Sequence, residues 1–246
     1  MKLNNFSKVL IVGANFKNKG AQSMLFITTD ELKKQNPNCE VYFATRENLN
    51  VDEYIFKKIY YSLDSKRIAI GKNVIFNIIR CMVKDIVKWM LGRGNNLFKY
   101  KEITGLIKDI DLIIDVSGFN LGEKWTASEQ ENYLANIRLA KAYNIPMILM
   151  PQSFGGFNYS DDKKYLLKEI QELLTYPKVV FAREEQGYRD LVGKFGLTNV
   201  VLSTDMVLQT KETNISNIYR ILPVLDLPKV EEGAVAIIPH TQCFRY

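Results

Sequence analysis

The chain has 246 residues, 47% of them apolar and 24% charged, with a net charge of +6. That is enough for one large core, or for one domain and part of another, and it excludes a disordered or collagen-like chain. No run is long and apolar enough to cross a bilayer. There is no basic region followed by an apolar leader core, and the basic excess is too modest and too spread out to argue for nucleic acid. A cytoplasmic protein is the expectation. Cys39, Cys81 and Cys243 lack metal-ligand spacing and are expected to be reduced, Cys39 and Cys81 partly buried.

Val9 to Val12 is an apolar run of the kind a buried parallel strand needs. It stops at Gly13. A polar loop runs from Ala14 to Lys19, and Gly20 leads into a helical pattern with Met24, Leu25 and Ile27 toward the core. Strand, glycine-bearing loop and helix N-terminus present N–H groups and a positive dipole end to an anion. Asn15, Asn18 and Lys19 are candidate side-chain donors there. The same turn also has a structural reading, in which glycine only relieves backbone strain. It follows neither the Walker A nor the GxGxxG pattern.

Asn36-Pro37-Asn38 breaks the helix, and residues 40–45 read as a second strand. Residues 47–64 read as a loop with a short helix. Over 72–92, Val74, Ile75, Ile78, Ile79, Met82, Val83, Ile86, Val87, Met90 and Leu91 recur at helical spacing. Arg80, Lys84, Asp85 and Lys88 lie toward the other side. Two readings stand: a helix packed on a sheet, or a basic amphipathic segment resting on a membrane with Trp89 near the interface.

A further helix ends over 105–110. Residues 111–116, DLIIDV, form a buried strand that runs into Ser117-Gly118-Phe119-Asn120-Leu121-Gly122. Residues 129–143 are helical, with Tyr133, Ile137 and Ala140 on one side. Residues 145–150 form a strand leading into Pro151-Gln152-Ser153-Phe154-Gly155-Gly156. A helix over 161–174, a strand over 178–181, a short helix through Leu191 and a strand over 199–202 ending at Ser203-Thr204-Asp205 complete the series. This alternation predicts an α/β fold, a Rossmann-like parallel sheet with helices on both faces. Ligands in such sheets bind outside the carboxyl ends of the strands.

Arg183, just beyond a strand, suits a phosphate or carboxylate held through two parallel hydrogen bonds. It equally suits a structural ion pair with Glu184 or Glu185. Asp205 either caps the next segment or binds an acceptor hydroxyl. His240, the only histidine, has no evident partner and is read as passive. Neither a Ser-His-Asp set nor a His/Cys metal cluster is identifiable. From Thr210 the rhythm fails, and Pro223, Pro228 and the charged residues 229–232 look like a linker. The expected organisation is an N-terminal Rossmann-like domain over 1–210, a linker over 211–232, and the start of a second, truncated Rossmann-like domain over 233–246.

Several segments occur in an order that points to a known family. They are Asn18-x-Gly20-Ala21-Gln22, the DLIID strand ending in Ser117-Gly118, Pro151-Gln152-Ser153-x-Gly155, Phe181-Ala182-Arg183-Glu184, Asp205 and the late AVAIIPH strand. In this order and spacing the chain resembles the polysaccharide pyruvyl transferase family, from about Lys8 to His240. The resemblance implies the N-terminal half of a GT-B-like fold, in which two Rossmann-like domains face a cleft. It implies transfer of the enolpyruvyl part of phosphoenolpyruvate to glycan hydroxyls, giving a ketal in cell-surface polysaccharide biosynthesis. Phosphoenolpyruvate is then the donor substrate, and no metal or redox cofactor is expected. The implied partner is a glycan or lipid-linked glycan acceptor; peripheral contact with the inner membrane surface is the expectation of the 72–92 segment, and the charge argues against nucleic acid.

The candidate substrate-binding residues are Asn15, Asn18, Gly20, Gln22, Ser117, Gly118, Gln152, Ser153, Gly155, Arg183 and Asp205. By resemblance, Arg183 helps bind the donor anion or shapes the cleft, and the three loops line the acceptor side. Two departures qualify the match. Ala21 stands where many members carry an acidic residue, and the family's Arg-x-His motif, whose histidine is the expected general acid, does not occur in these residues. The catalytic residues are therefore unassigned, and this chain alone is expected to be inactive. Two rival readings remain: a GT-B-like glycosyltransferase using a sugar nucleotide, and a non-catalytic module binding a glycan or partner.

Overall fold

In β1 (Lys8–Val12) every residue from Val9 onward is buried, so both faces of the strand are covered, as a central parallel strand requires. Successive side chains alternate between faces. Val9 and Ile11 enter one core, and Leu10 and Val12 the other. The computed structural model, which describes residues 5–71, 74–91 and 99–224, repeats this division across seven parallel strands in the order 3-2-1-4-6-8-9. The others are β2 (Glu40–Thr45), β3 (Lys57–Tyr60), β4 (Leu112–Asp115), β6 (Met147–Gln152), β8 (Val179–Ala182) and β9 (Val200–Leu202). Two short strands, β5 (Leu121–Gly122) and β7 (Phe154–Gly155), pair separately. The architecture is the Rossmann-like α/β class that the alternation predicts.

Helix α1 (Lys19–Gln35) covers the Val9/Ile11 face with Ala21, Met24, Leu25 and Leu32. Helices α5 (Ala127–Ala142) and α6 (Tyr165–Leu174) cover the other face, joined there by α2 (Leu63–Ala69) and α4 (Tyr100–Leu106). Helix α5 starts earlier than the apolar spacing indicates. A capping box sets its start: Thr126 Oγ1 accepts from Glu129 N at 3.3 Å, and Glu129 Oε2 accepts from Thr126 N at 2.9 Å.

Two readings of the chain are corrected. Residues 47–64 contain β3, a four-residue edge strand whose Lys57 and Lys58 hide the alternation and blunt the edge. Helix α3 (Val74–Met90) is helical as expected, but it does not bury its apolar side against the sheet; Ile75, Phe76, Ile79, Val83 and Met90 are exposed. Cys39 and Cys81 are both buried. The residues just after α8 (Met206–Gln209) fold back over α1. Asn214 N and Asn217 Nδ2 donate to the two carboxylate oxygens of Asp30 at 3.1 and 2.8 Å. Tyr219 packs against Tyr54 and Phe26, with ring centroids 5.0 and 5.8 Å apart. The expected strand over 233–240, with His240 and Cys243, lies outside the described residues. Among the described residues no helix is long and apolar enough to cross a membrane.

Candidate functional site

The strand order reverses between β1 and β4. At such a switch point the connecting segments leave in opposite directions and open a crevice beyond the strand ends. Gly13, the first residue after β1, has φ +88°. A Cβ there would overlap Ser117 Oγ and lie 2.7 Å from Ser117 N and 2.8 Å from Asp115 Oδ1. Glycine thus lets the loops after β1 and β4 touch, and that contact forms the floor of the crevice.

Two cavities of about 420 and 680 Å³ open above it. They share Gly13, Asn15, Asn120 and Trp125, so they form one cleft. The smaller is the chemically richer. Asp115 at the end of β4 is fully buried; Oδ1 accepts from Ser117 N at 2.8 Å and Oδ2 from Asn136 Nδ2 at 3.2 Å. Burial pushes its carboxyl above the usual range, against those hydrogen bonds and the charge of Lys66. Lys66 of α2 is 2% exposed. Its Nζ donates to Asn132 O at 2.7 Å and Asn132 Oδ1 at 3.0 Å, and it sits 4.5 Å from the centre of the Tyr61 ring. Burial lowers the Lys66 pKa to about 7, with Asp115 acting in the opposite sense.

Four buried side-chain atoms among the described residues have no hydrogen-bond partner: Tyr61 Oη, Ser117 Oγ, Trp125 Nε1 and Asn136 Oδ1. All four belong to residues on the wall of the smaller cavity. Leaving a buried polar group unpaired costs about 1–3 kcal/mol each. Four such atoms on residues that border one cavity mark the place where a guest, with a small shift of side chains, gains hydrogen bonds.

The other end of the cleft is closed by Arg183. Its Nε donates to Ser153 Oγ and Glu184 Oε1, each at 3.0 Å; Nη2 donates to Ser153 Oγ at 2.7 Å and Nη1 to Asp205 Oδ2 at 2.8 Å. Ser153 N in turn donates to Gly118 O at 2.9 Å. Asp205 does two jobs, since its Oδ1 also caps α8 by accepting from Val207 N at 2.9 Å. Of the two readings of Arg183, the ion pair is the one this geometry favours, with Glu184 and Asp205 as partners.

The start of α1 is also occupied. Asn18 Oδ1 accepts from Gly20 N at 2.9 Å and Ala21 N at 3.3 Å, and Asn15 Oδ1 accepts from Asn18 N at 2.8 Å. Asn18 serves as the helix cap, and the N–H groups expected to meet an anion are taken up within the turn. Lys19 Nζ donates to Gln22 Oε1 at 2.9 Å.

Of the sequence-predicted residues, Asn15, Asn18, Gly20, Ser117, Gly118, Arg183 and Asp205 line the cleft. Gln22 does not. Gln152 is fully buried behind it, accepting from Tyr133 Oη at 3.0 Å. Ser153 acts through Arg183, and Gly155 belongs to the β5–β7 pair. Sequence reasoning missed Tyr61, Lys66, Trp125, Asn132 and Asn136. One signal was available: Asn132 and Asn136, four apart on α5, interrupt its buried side next to Tyr133. Tyr61 carries no such mark because it lies in 47–64, read as a loop with a short helix, and Lys66 lies just beyond it, in a stretch given no element of its own. Among the described residues no group of three or more His, Cys, Asp or Glu side chains is placed to hold a metal ion.

Residues 18–238 match the family model described as Polysaccharide pyruvyl transferase. No curated protein matches the chain.

Proposed function

The chain belongs to the polysaccharide pyruvyl transferase family, and on that premise we propose that it takes part in transferring pyruvate from phosphoenolpyruvate to a glycan, with the cleft between β1 and β4 seating the acceptor sugar. The observation that carries the acceptor assignment is the set of four unpartnered polar atoms on residues that border one cavity. They offer both donors and acceptors, as Trp125 Nε1–H only donates, Asn136 Oδ1 only accepts, and the hydroxyls of Tyr61 and Ser117 do both. Sugar hydroxyls have the same double character. A phosphate or carboxylate asks instead for converging donors. Here Asp115 and Arg183 argue against an anion: the first puts a carboxyl beneath the cavity floor, and the second is already paired with two carboxylates.

Ketal formation consumes two acceptor hydroxyls. The first adds to C2 of phosphoenolpyruvate while a proton goes to its methylene carbon. Phosphate then leaves, and the second hydroxyl closes the ring with loss of its proton. A site that fixes the sugar by its hydroxyls sets which pair reacts. Phosphate release reports turnover separately from acceptor binding, which matters because no Arg-x-His motif occurs in the 246 residues.

The test is saturation-transfer NMR on the full chain with neutral mono- and disaccharides, phosphoenolpyruvate and a nucleotide sugar. A neutral sugar is expected to bind. Trp125→Phe, which keeps a ring and removes one buried donor, is expected to weaken it about tenfold. Sugar binding unchanged in Trp125→Phe overturns the acceptor assignment. Displacement of the sugar by a nucleotide sugar, with no response to phosphoenolpyruvate, supports the glycosyltransferase reading instead. Sugar binding with no phosphate release supports a glycan-binding module.

A further inference from the structure

Helix α3 wears its amphipathic pattern inside out. The side that faces the protein carries Asn77, Cys81 and Asp85, four residues apart and all buried. Lys84 Nζ pairs with Asp64 Oδ2 of α2 at 2.6 Å, and Arg80 lies 3.9 Å from the same carboxylate. The opposite side carries Ile75, Phe76, Ile79, Val83, Ile86 and Trp89, which are 45–76% exposed. These residues fall within roughly half of the helix circumference. An apolar strip of this length on the outside of a protein marks a contact surface.

Charge identifies the contact. Between Lys72 and Lys101 the sequence has seven Lys or Arg and one Asp, a net charge of +6 that equals the net charge of the whole chain. The basic excess that the composition presents as spread out is therefore concentrated in this stretch of the sequence, and the remainder is neutral overall. We propose that α3 docks on an anionic lipid bilayer as an interfacial helix, its apolar strip in the headgroup–acyl boundary and the surrounding cations against the lipid charge. A second copy of the chain is the poorer fit, because a two-fold contact through α3 would set two stretches of net charge +6 against each other. Trp89, 63% exposed near the C-terminal end of α3, is the amphipathic ring suited to the headgroup level.

The helix is also next to the cleft. Arg80, Cys81, Lys84 and Asp85 border a groove together with Arg46, and Arg46 also borders the smaller cavity of the site. The groove runs along the protein-facing side of α3, so docking through the opposite side leaves it one helix away from the lipid headgroups.

The test is flotation of the full chain with vesicles of phosphatidylcholine containing 30% phosphatidylglycerol, beside vesicles of phosphatidylcholine alone. It uses neither donor nor acceptor, so its outcome is independent of the proposed reaction. The chain is expected to float with the anionic vesicles and to lose at least tenfold of that binding on the neutral ones. Ile79→Glu/Val83→Glu is expected to lose at least tenfold as well; both side chains are more than half exposed, so the fold persists, with circular dichroism as the check. No flotation of the unmodified chain, or equal flotation of the double variant, overturns the proposal. So does a dimer in sedimentation that the double variant converts to monomer without any vesicle binding; α3 is then an interface between copies.

Discussion

Gly13→Ala is expected to cost about 3–5 kcal/mol of stability, a sum of left-handed backbone strain and steric overlap, measured as a shift in the urea midpoint at constant slope. The two causes separate by comparison. Gly71 has a similar φ, +78°, but nothing lies within 4 Å of the Cβ it would gain. Gly71→Ala therefore bears the backbone cost alone, about 1 kcal/mol. The added loss at Gly13 comes from Ser117 and Asp115. Adding Ser117→Gly to Gly13→Ala removes the hydroxyl but leaves Ser117 N in the way, so only part of the loss returns. An equal effect at Gly13 and Gly71 would show that the β1 and β4 loops are not in contact, and the floor of the cleft would need redrawing. The overlap also displaces Ser117, one of the residues bordering the smaller cavity, so sugar binding falls with it.

Lys66→Met is expected to remove a pH dependence rather than simply to destabilise. Burial takes the Lys66 pKa from 10.5 to about 7. Between those values the unfolded chain holds a proton that the folded chain has released. Stability must then rise with pH across that window, by up to about 1.4 kcal/mol per unit from this one group. Below pH 7 both states carry the charge and the contribution is level, with the folded state bearing the cost of a buried ammonium. Other groups move in the opposite direction at the alkaline end: burial raises the thiols of Cys39 and Cys81 and the phenols of Tyr61 and Tyr133. The informative quantity is therefore the difference between parent and variant, from urea unfolding at pH 6 to 9.5. That difference is expected to shift toward the parent as pH rises. A flat difference would mean that Lys66 keeps its proton in the folded protein at neutral pH. Removing the charge at pH 6 is expected to leave stability unchanged or higher, since an apolar side chain of similar size replaces a costly buried cation.

How much of this was legible in the sequence differs by element. β1 and β4 announced themselves because a strand buried on both faces reads as an uninterrupted apolar run, and the loops after them therefore fell in the right places. Asn15, Asn18 and Ser117 reached the cleft for that reason, and Arg183 as the residue directly after β8. Their roles were less accessible. Asn18 could donate to an anion or cap its own helix; only backbone geometry decides, and it chose the cap. β3 was hidden because an edge strand with two lysines has no alternation to detect. Lys66 could not be found at all from local pattern. It sits in a seven-residue helix with charged neighbours, and its burial is imposed by α5 packing over it. The outward face of α3 is the most instructive case. Periodicity reports that a helix has an apolar side, and it says nothing about whether protein or something else covers that side.

Arg183 ties the ends of β6, β8 and β9 into a single knot, through Ser153, Glu184 and Asp205. One jaw of the cleft is thereby stiff: a guest of different girth cannot be admitted by easing those three strands apart without breaking the bonds from the guanidinium to Ser153 and Asp205. The opposite jaw, where Lys17 and Glu47 meet across 3.8 Å with Lys17 in open solvent, has no comparable fastening. Changes of guest are therefore to be sought in the loops after β1 and β2, whose side chains can be exchanged one at a time while the knot stays intact.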